Sequence, residues 1–157
     1  MENKTTYRTF QFENTIVWRS SRRGLLSALQ HPDMEVGSPP AFKGDPDVWC
    51  PEDLLIGALN TCLMLTFLSV SHRRGLQVGA YESSAQGTLE HSDGKYRVTR
   101  VKVRPVVLLN TKVDFVAARE AMQETIESCI ITNSIRATVE LDPQFREATA
   151  TSDSDAE

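Results

Sequence analysis

Three observations on the 157-residue sequence predict an α+β fold. Trp49 to Arg74 is a helical stretch apolar on nearly every face, Asp93-Gly94 stands between two alternating runs as a hairpin signal, and Lys112 to Ile130 repeats its apolar residues at helical spacing. Strands and helices occur in segregated runs, which separates the chain from alternating βα architectures. With 40% apolar and 24% charged residues, the composition is that of one ordinary soluble domain. That domain is assigned to residues 1–145, and the polar, acidic segment 146–157 reads as a disordered tail.

The same composition narrows the function classes. A net charge of −4 with dispersed basic residues gives no nucleic-acid footprint. There is no CxxC, HExxH or Gly-rich phosphate loop, and His31, His72 and His91 are too scattered for a metal site, so neither a metal nor a bound cofactor is expected. MENKTTYRTF at the N-terminus has no apolar run and reads as neither a secretory signal nor an anchor. A cytoplasmic location follows as the expectation, with the three cysteines kept as thiols.

Taken in order, Phe10 to Trp18 alternates Phe10, Phe12, Ile16 and Trp18 with polar residues and predicts a half-buried strand. Arg19 to Gly24 is an arginine-rich turn, and Leu25 to Gln30 a short second strand. His31 to Val48 holds four prolines and two glycines, predicting a strand fragment at Met34 to Val36 and then a stiff loop.

The central helix follows. Pro51 suits a first turn, Glu52 and Asp53 complement the positive end of the helix dipole, Arg73 and Arg74 the negative end, and Gly75 stops the helix. Leu54 to Val70 is uncharged but short of the roughly 20 apolar residues of a membrane span, so no membrane association is expected. Burying a helix apolar all round takes more than one sheet, and the second helix or a partner subunit must supply the other layer. A homodimer is the expectation.

Leu76 to Glu90 and Tyr96 to Leu109 predict antiparallel strands. In the second, Val101, Val103, Val107 and Leu109 share one face and Arg100, Lys102 and Arg104 the other, while Pro105 suggests an edge or a bulge. Lys112 to Ile130 then reads as an amphipathic helix ending at Cys129, and Ile135 to Leu141 as a last strand.

The stretches SPPAFKGDPDVWCPEDLLIGALNTCLMLTF, GLQVGAYESSAQGTLE and ESCIITNSI together resemble the OsmC/Ohr family of thiol peroxidases, over nearly all of Ile16 to Pro143. Two separated cysteine motifs carry the resemblance: PE-L followed by a cysteine on the same helix, and C-x-x-[ST]-[NQ] on the next. The resemblance implies an OsmC-like fold, antiparallel sheets wrapping two central helices in an intertwined homodimer with active sites at the interface. It implies that Cys62 attacks organic hydroperoxides, that Cys129 closes a disulfide on it, and that Glu52 holds an active-site arginine. It further implies an external dithiol reductant such as lipoamide.

Apart from the resemblance, Cys62 alone reads more readily as a small buried hydrophobe than as a nucleophile. It lies 12 residues beyond Cys50, about 18 Å of helix, so the N-terminal dipole cannot acidify it and a side-chain cation is expected to do so. A fall in thiol pKa from about 8.5 to about 6.5 raises the thiolate fraction at pH 7 from roughly 3% to roughly 76%. Lower intrinsic nucleophilicity removes about six- to tenfold of that gain, leaving stabilisation of the departing oxygen as the cation's larger role. The resemblance implies that the arginine comes either from the turn after the first strand or from the loop before the helix; with Ala41-Phe42-Lys43 offering none in that loop, Arg22 or Arg23 is the candidate, Arg22 preferred. Both also read as solvated turn residues.

Cys129, ending its helix, is expected to be the less acidic thiol. Cys50 occupies the helix N-cap, where a thiol caps poorly and the dipole favours a thiolate, so a third reactive cysteine is one expectation and a tolerant position the other. Ala58, Leu59, Leu65 and Thr66 are expected to line an apolar site suited to alkyl hydroperoxides. Two alternatives stay open: a redox-inactive small-molecule-binding or interaction protein on the same fold, and a Cys/His enzyme. His72, about 15 Å from Cys62 along the helix, cannot serve the latter.

Overall fold

The computed structural model describes residues 7–110 and 115–147. The chain divides into two compact units, one ending at Asp53 and one starting at Leu54. The expected start of the second helix at Lys112 and the tail from residue 148 onward lie outside the described residues.

The first unit holds a three-stranded antiparallel sheet, β1 (Thr15–Ser20), β2 (Arg23–Ser27) and β3 (Met34–Gly37), in that order. The alternation expected from Phe10 yields a strand only from Thr15, because β2 offers partners no further than Ser27 opposite Thr15. Nor is β1 half-buried: Ile16 and Trp18 are exposed, as are Phe10 and Phe12 before it. The proline-rich loop contains one short 3-10 turn, Pro40–Phe42, and returns to β3, where Gly37 N–H donates to Trp49 O at 3.0 Å.

The second unit is built on α1 (Pro51–Arg73), from Leu54 onward, and a long hairpin of β4 (Val78–Ser92) and β5 (Lys95–Leu109). Asp93 and Gly94, with φ of 53° and 79°, make the tight turn that the sequence announces. At its C-terminus α1 is closed by Gly75 in the left-handed region, with Gly75 N–H bonding His72 O and Leu76 N–H bonding Ser71 O. Leu59, Leu63, Phe67 and Val70 form the buried stripe of α1. They cluster with Val101, Val103, Val107 and Leu109, the apolar face of β5 foreseen from its alternation. Near Gly87 of β4 the packing is close enough that a Cβ there would meet Ile56 Cδ1 at 2.6 Å. By length and composition α1 could cross a membrane; its stripe of Leu59, Leu63, Phe67 and Val70 is buried.

The chain then forms α2 (Phe115–Ser128), α3 (Ile130–Ser134), β6 (Thr138–Leu141) and β7 (Gln144–Glu147). Ala118, Ala121 and Met122 of α2 complete the core around Phe67 and Val70. Arg73 and Arg74 bind Glu124, and Arg74 also Glu120, tying the end of α1 to α2. The α+β class holds, but the second sheet is mixed: β6 and β7 run parallel to β5, because the two helices carry the chain back across the sheet before pairing resumes. β5 is therefore an internal strand, and Pro105 is at neither an edge nor a bulge. It falls in the interval between the β6 partner Val103 and the β7 partner Val106. β7 was not foreseen and takes in Arg146 and Glu147, the first residues of the expected tail; the expected strand from Ile135 narrows to Thr138–Leu141.

Truncating Phe67, fully buried between α1, β5 and α2, should cost about 3–5 kcal/mol of unfolding free energy in a urea titration.

Candidate active site

Cys62 is on the flank of the buried α1 stripe, half-buried and packed against the cluster that contains Cys129. Cys129 does not end α2 as its spacing suggested. It sits in the extended link after Ser128 and N-caps α3, its sulfur accepting the Thr132 N–H at 3.5 Å. Cys129 thus stands between the C-terminal end of α2, whose dipole opposes a thiolate as expected, and the N-terminal end of the five-residue α3, whose dipole favours one. Cys129 nevertheless titrates above the ordinary thiol range, because burial outweighs the Thr132 hydroxyl and amide, and the neighbouring Cys62 adds to the rise. The side chain has no exposed surface.

Cys62 goes the other way. Burial alone would push it up, but the nearby Ile131 backbone amide, the Cys129 thiol, the Thr66 hydroxyl and the Ile130 backbone amide bring it below the ordinary range. Thr66 Oγ1 is 4.0 Å from the sulfur. The side-chain cation expected to activate Cys62 is thus not among these groups; backbone amides of the turn into α3 lead them. Both thiols are free, and each shifts the titration of the other, Cys129 lowering Cys62 and Cys62 raising Cys129.

Cys62 opens on a cleft of about 650 Å³ lined by Ala58, Leu65, Thr66, Ile130 and Ile131 among others. Three of the four lining residues expected from helical spacing are there. Leu59 is not, since it is fully buried in the stripe facing β5. Ile130 and Ile131 were missed, although two isoleucines directly after a thiol in the C-x-x-[ST]-[NQ] motif are the signal that could have found them.

The remaining candidates belong to the first unit. Arg23 is engaged by three carboxylates, Asp45 at 2.7 Å, Asp47 at 2.5 Å and Glu35 at 3.6 Å; Asp45 and Asp47 raise its proton affinity and fasten the loop to β2. Arg22 is exposed and makes no ion pair among the described residues. Glu52 Oε2 is buried with no hydrogen-bond partner, and no arginine pairs with Glu52 among the described residues.

Cys50 caps α1 better than expected. Its sulfur accepts the Asp53 N–H at 3.4 Å and donates to Asp53 Oδ2 at 3.1 Å, while the Cys50 N–H reaches the same carboxylate at 3.5 Å. This is a reciprocal capping box. Burial, with the Asp53 and Glu52 carboxylates, raises the Cys50 thiol rather than lowering it, which corrects the expectation of a dipole-activated third cysteine.

Two outcomes follow for thiol labelling of the native protein. Iodoacetamide should modify Cys62 well before Cys50, and Thr66→Val should move the alkylation midpoint of Cys62 up by as much as about one pH unit, both read by mass spectrometry.

Residues 44–144 match the family described as OsmC-like protein. The chain is 27% identical over 94 residues to the uncharacterized protein YmaD of Bacillus subtilis (strain 168), covering 58% of this chain and 63% of that one. It thus spans under two thirds of the length of that curated relative. Among solved structures, an OsmC-like protein of unknown function from Vibrio cholerae superposes with a TM-score of 0.80 at 23% identity, covering 86% of this chain and 99% of that one. An OsmC-like protein from Mycoplasma pneumoniae gives 0.77 at 10% identity over 88% and 99% of the two chains. An organic hydroperoxide resistance protein from Elizabethkingia anophelis gives 0.73 at 16% identity over 91% and 100%. With the family's match spanning well over half of its length, this chain belongs to the OsmC-like protein family.

Proposed function

We propose that the protein is a two-cysteine peroxidase that reduces organic hydroperoxides to alcohols. The observation that carries this reading is the pairing of two free thiols of opposite character. Cys62, held below the ordinary thiol range, lines a cleft, and Cys129, buried and above that range, belongs to the cluster against which Cys62 packs.

The Cys62 thiolate attacks the terminal oxygen of the hydroperoxide, the O–O bond breaks, and the alkoxide leaves as the alcohol after gaining a proton. The product at Cys62 is a sulfenic acid. Cys129 then attacks that sulfur, hydroxide leaves as water, and a Cys62–Cys129 disulfide remains. A dithiol returns both sulfurs to thiols and is itself oxidised to a disulfide. Leu65, Ile130 and Ile131 along the cleft favour an alkyl substituent over hydrogen peroxide.

Of the two candidate arginines, Arg23 is committed to carboxylates, so Arg22 is the one we assign to the departing oxygen. Large apolar side chains left in solvent, Leu65 on α1 and Phe12 and Trp18 in the first unit, support a homodimer. Three unbridged cysteines support a reducing compartment such as the cytoplasm.

A second reading, a small-molecule-binding protein without redox turnover, is favoured by one observation: Glu52 lacks the arginine that the family resemblance gives it. The two readings part in one assay. Native protein should consume cumene hydroperoxide with dithiothreitol or dihydrolipoamide as reductant, and Cys62→Ser should abolish consumption. Absence of turnover by folded, reduced native protein would overturn the peroxidase reading in favour of binding.

A further inference from the structure

Reduction of the disulfide poses a problem that the sequence does not announce. A reductant thiolate prefers, on electronic grounds, to expel the more acidic thiol, which would mean attacking Cys129 and releasing Cys62. The structure forbids that direction. Cys129 has no exposed surface, whereas Cys62 lines the cleft, so attack must fall on Cys62 and the poorer leaving group must depart. A buried sulfur becoming an anion needs hydrogen-bond donors aimed at it.

One donor is in place: the Thr132 N–H, 3.5 Å from Cys129 Sγ. The other is the Thr132 hydroxyl. Its oxygen is buried and makes no well-formed hydrogen bond in the dithiol state, an arrangement that costs stability in that state. Yet it lies against the Cys129 sulfur and lowers the proton affinity there. A thiol sulfur is a weak acceptor and a thiolate a strong one, so the hydroxyl gains its partner only when Cys129 ionises.

We propose that Thr132 stabilises the Cys129 thiolate, through its hydroxyl as well as its amide, and thereby sets the rate at which a dithiol reduces the Cys62–Cys129 disulfide. This inference rests on the cysteine pairing proposed above. In the reductive step the attacking thiolate forms a bond to Cys62 Sγ, the bond to Cys129 Sγ breaks, and its electron pair stays on Cys129. Thr132 Oγ1–H donates to that sulfur until a proton arrives. The second thiol of the reductant then displaces Cys62, leaving the reductant as a disulfide. The same donor assists the reverse polarity, in which Cys129 attacks the Cys62 sulfenic acid as a thiolate.

The test separates this step from peroxide chemistry by making the disulfide with diamide, which needs no hydroperoxide. Native protein, Thr132→Val and Thr132→Ser are oxidised in this way, and their reduction by dithiothreitol is followed by quenched alkylation. Valine, which keeps shape and loses the donor, should slow reduction about tenfold, and serine should restore it to within about twofold. In a Cys50→Ser, Cys62→Ser background, thiolate absorbance in the ultraviolet should place the midpoint of Cys129 higher in Thr132→Val than in Thr132→Ser. Reduction of Thr132→Val at the native rate overturns the inference, as does a serine variant as slow as the valine one. Failure of diamide to join Cys62 to Cys129 overturns the pairing and this inference with it. A native protein that is inert to cumene hydroperoxide but shows the valine defect would sink only the peroxidase reading.

Discussion

The second unit depends on one packing interaction, that of the Leu59, Leu63, Phe67 and Val70 stripe of α1 on the valine-rich face of β5. These side chains are fully buried, and each is worth about 1.5–3 kcal/mol when removed from water. Because α1 is rigid, fixing the stripe fixes everything one residue off it. Cys62, next to Leu63, is turned partly out of the core toward the cleft, while its sulfur stays in contact with the cluster around Cys129. The reactive position is thus a by-product of how the core is filled.

A second constraint acts on the two sulfurs. The turn between α2 and α3 serves both: its amides at Ile130 and Ile131 favour the Cys62 anion, and the Thr132 amide satisfies Cys129. Backbone donors cost no side-chain entropy to position. They also differ from a cation in reach, since a hydrogen bond fails within a few tenths of an ångström of its proper geometry whereas a charge acts over several ångströms. The acidity of Cys62 is therefore sensitive to the path of that turn, which places two helices of the fold in direct control of one thiol.

Much of this was legible in the sequence. The helix termini around Pro51 and Gly75, the Asp93-Gly94 turn and the alternation of β5 are local signals, and each element forms where its signal stands. Non-local facts were not legible. β1 starts five residues late because its length is set by a partner strand, and β6 and β7 are parallel because of a crossover that no local pattern encodes. At the site, the two motif cysteines were readable. The break in helix at Cys129 was not, since the apolar period runs through it and only the cap geometry reveals the change of helix. The commitment of Arg23 was hidden for a similar reason: Asp45 and Asp47 stand 22 and 24 residues away along the chain.

The capping role of Cys129 bears on how substitutions there are to be interpreted. An alanine at this position takes away the sulfur chemistry and, in the same stroke, unfastens the first turn of α3, from which Ile130 and Ile131 reach Cys62. Inactivity of such a variant would be equally compatible with a lost reaction partner and with a deranged neighbour. Serine, a better helix cap than sulfur, deletes the redox function while keeping the turn. The two substitutions differ, then, not in severity but in what an observer learns from them.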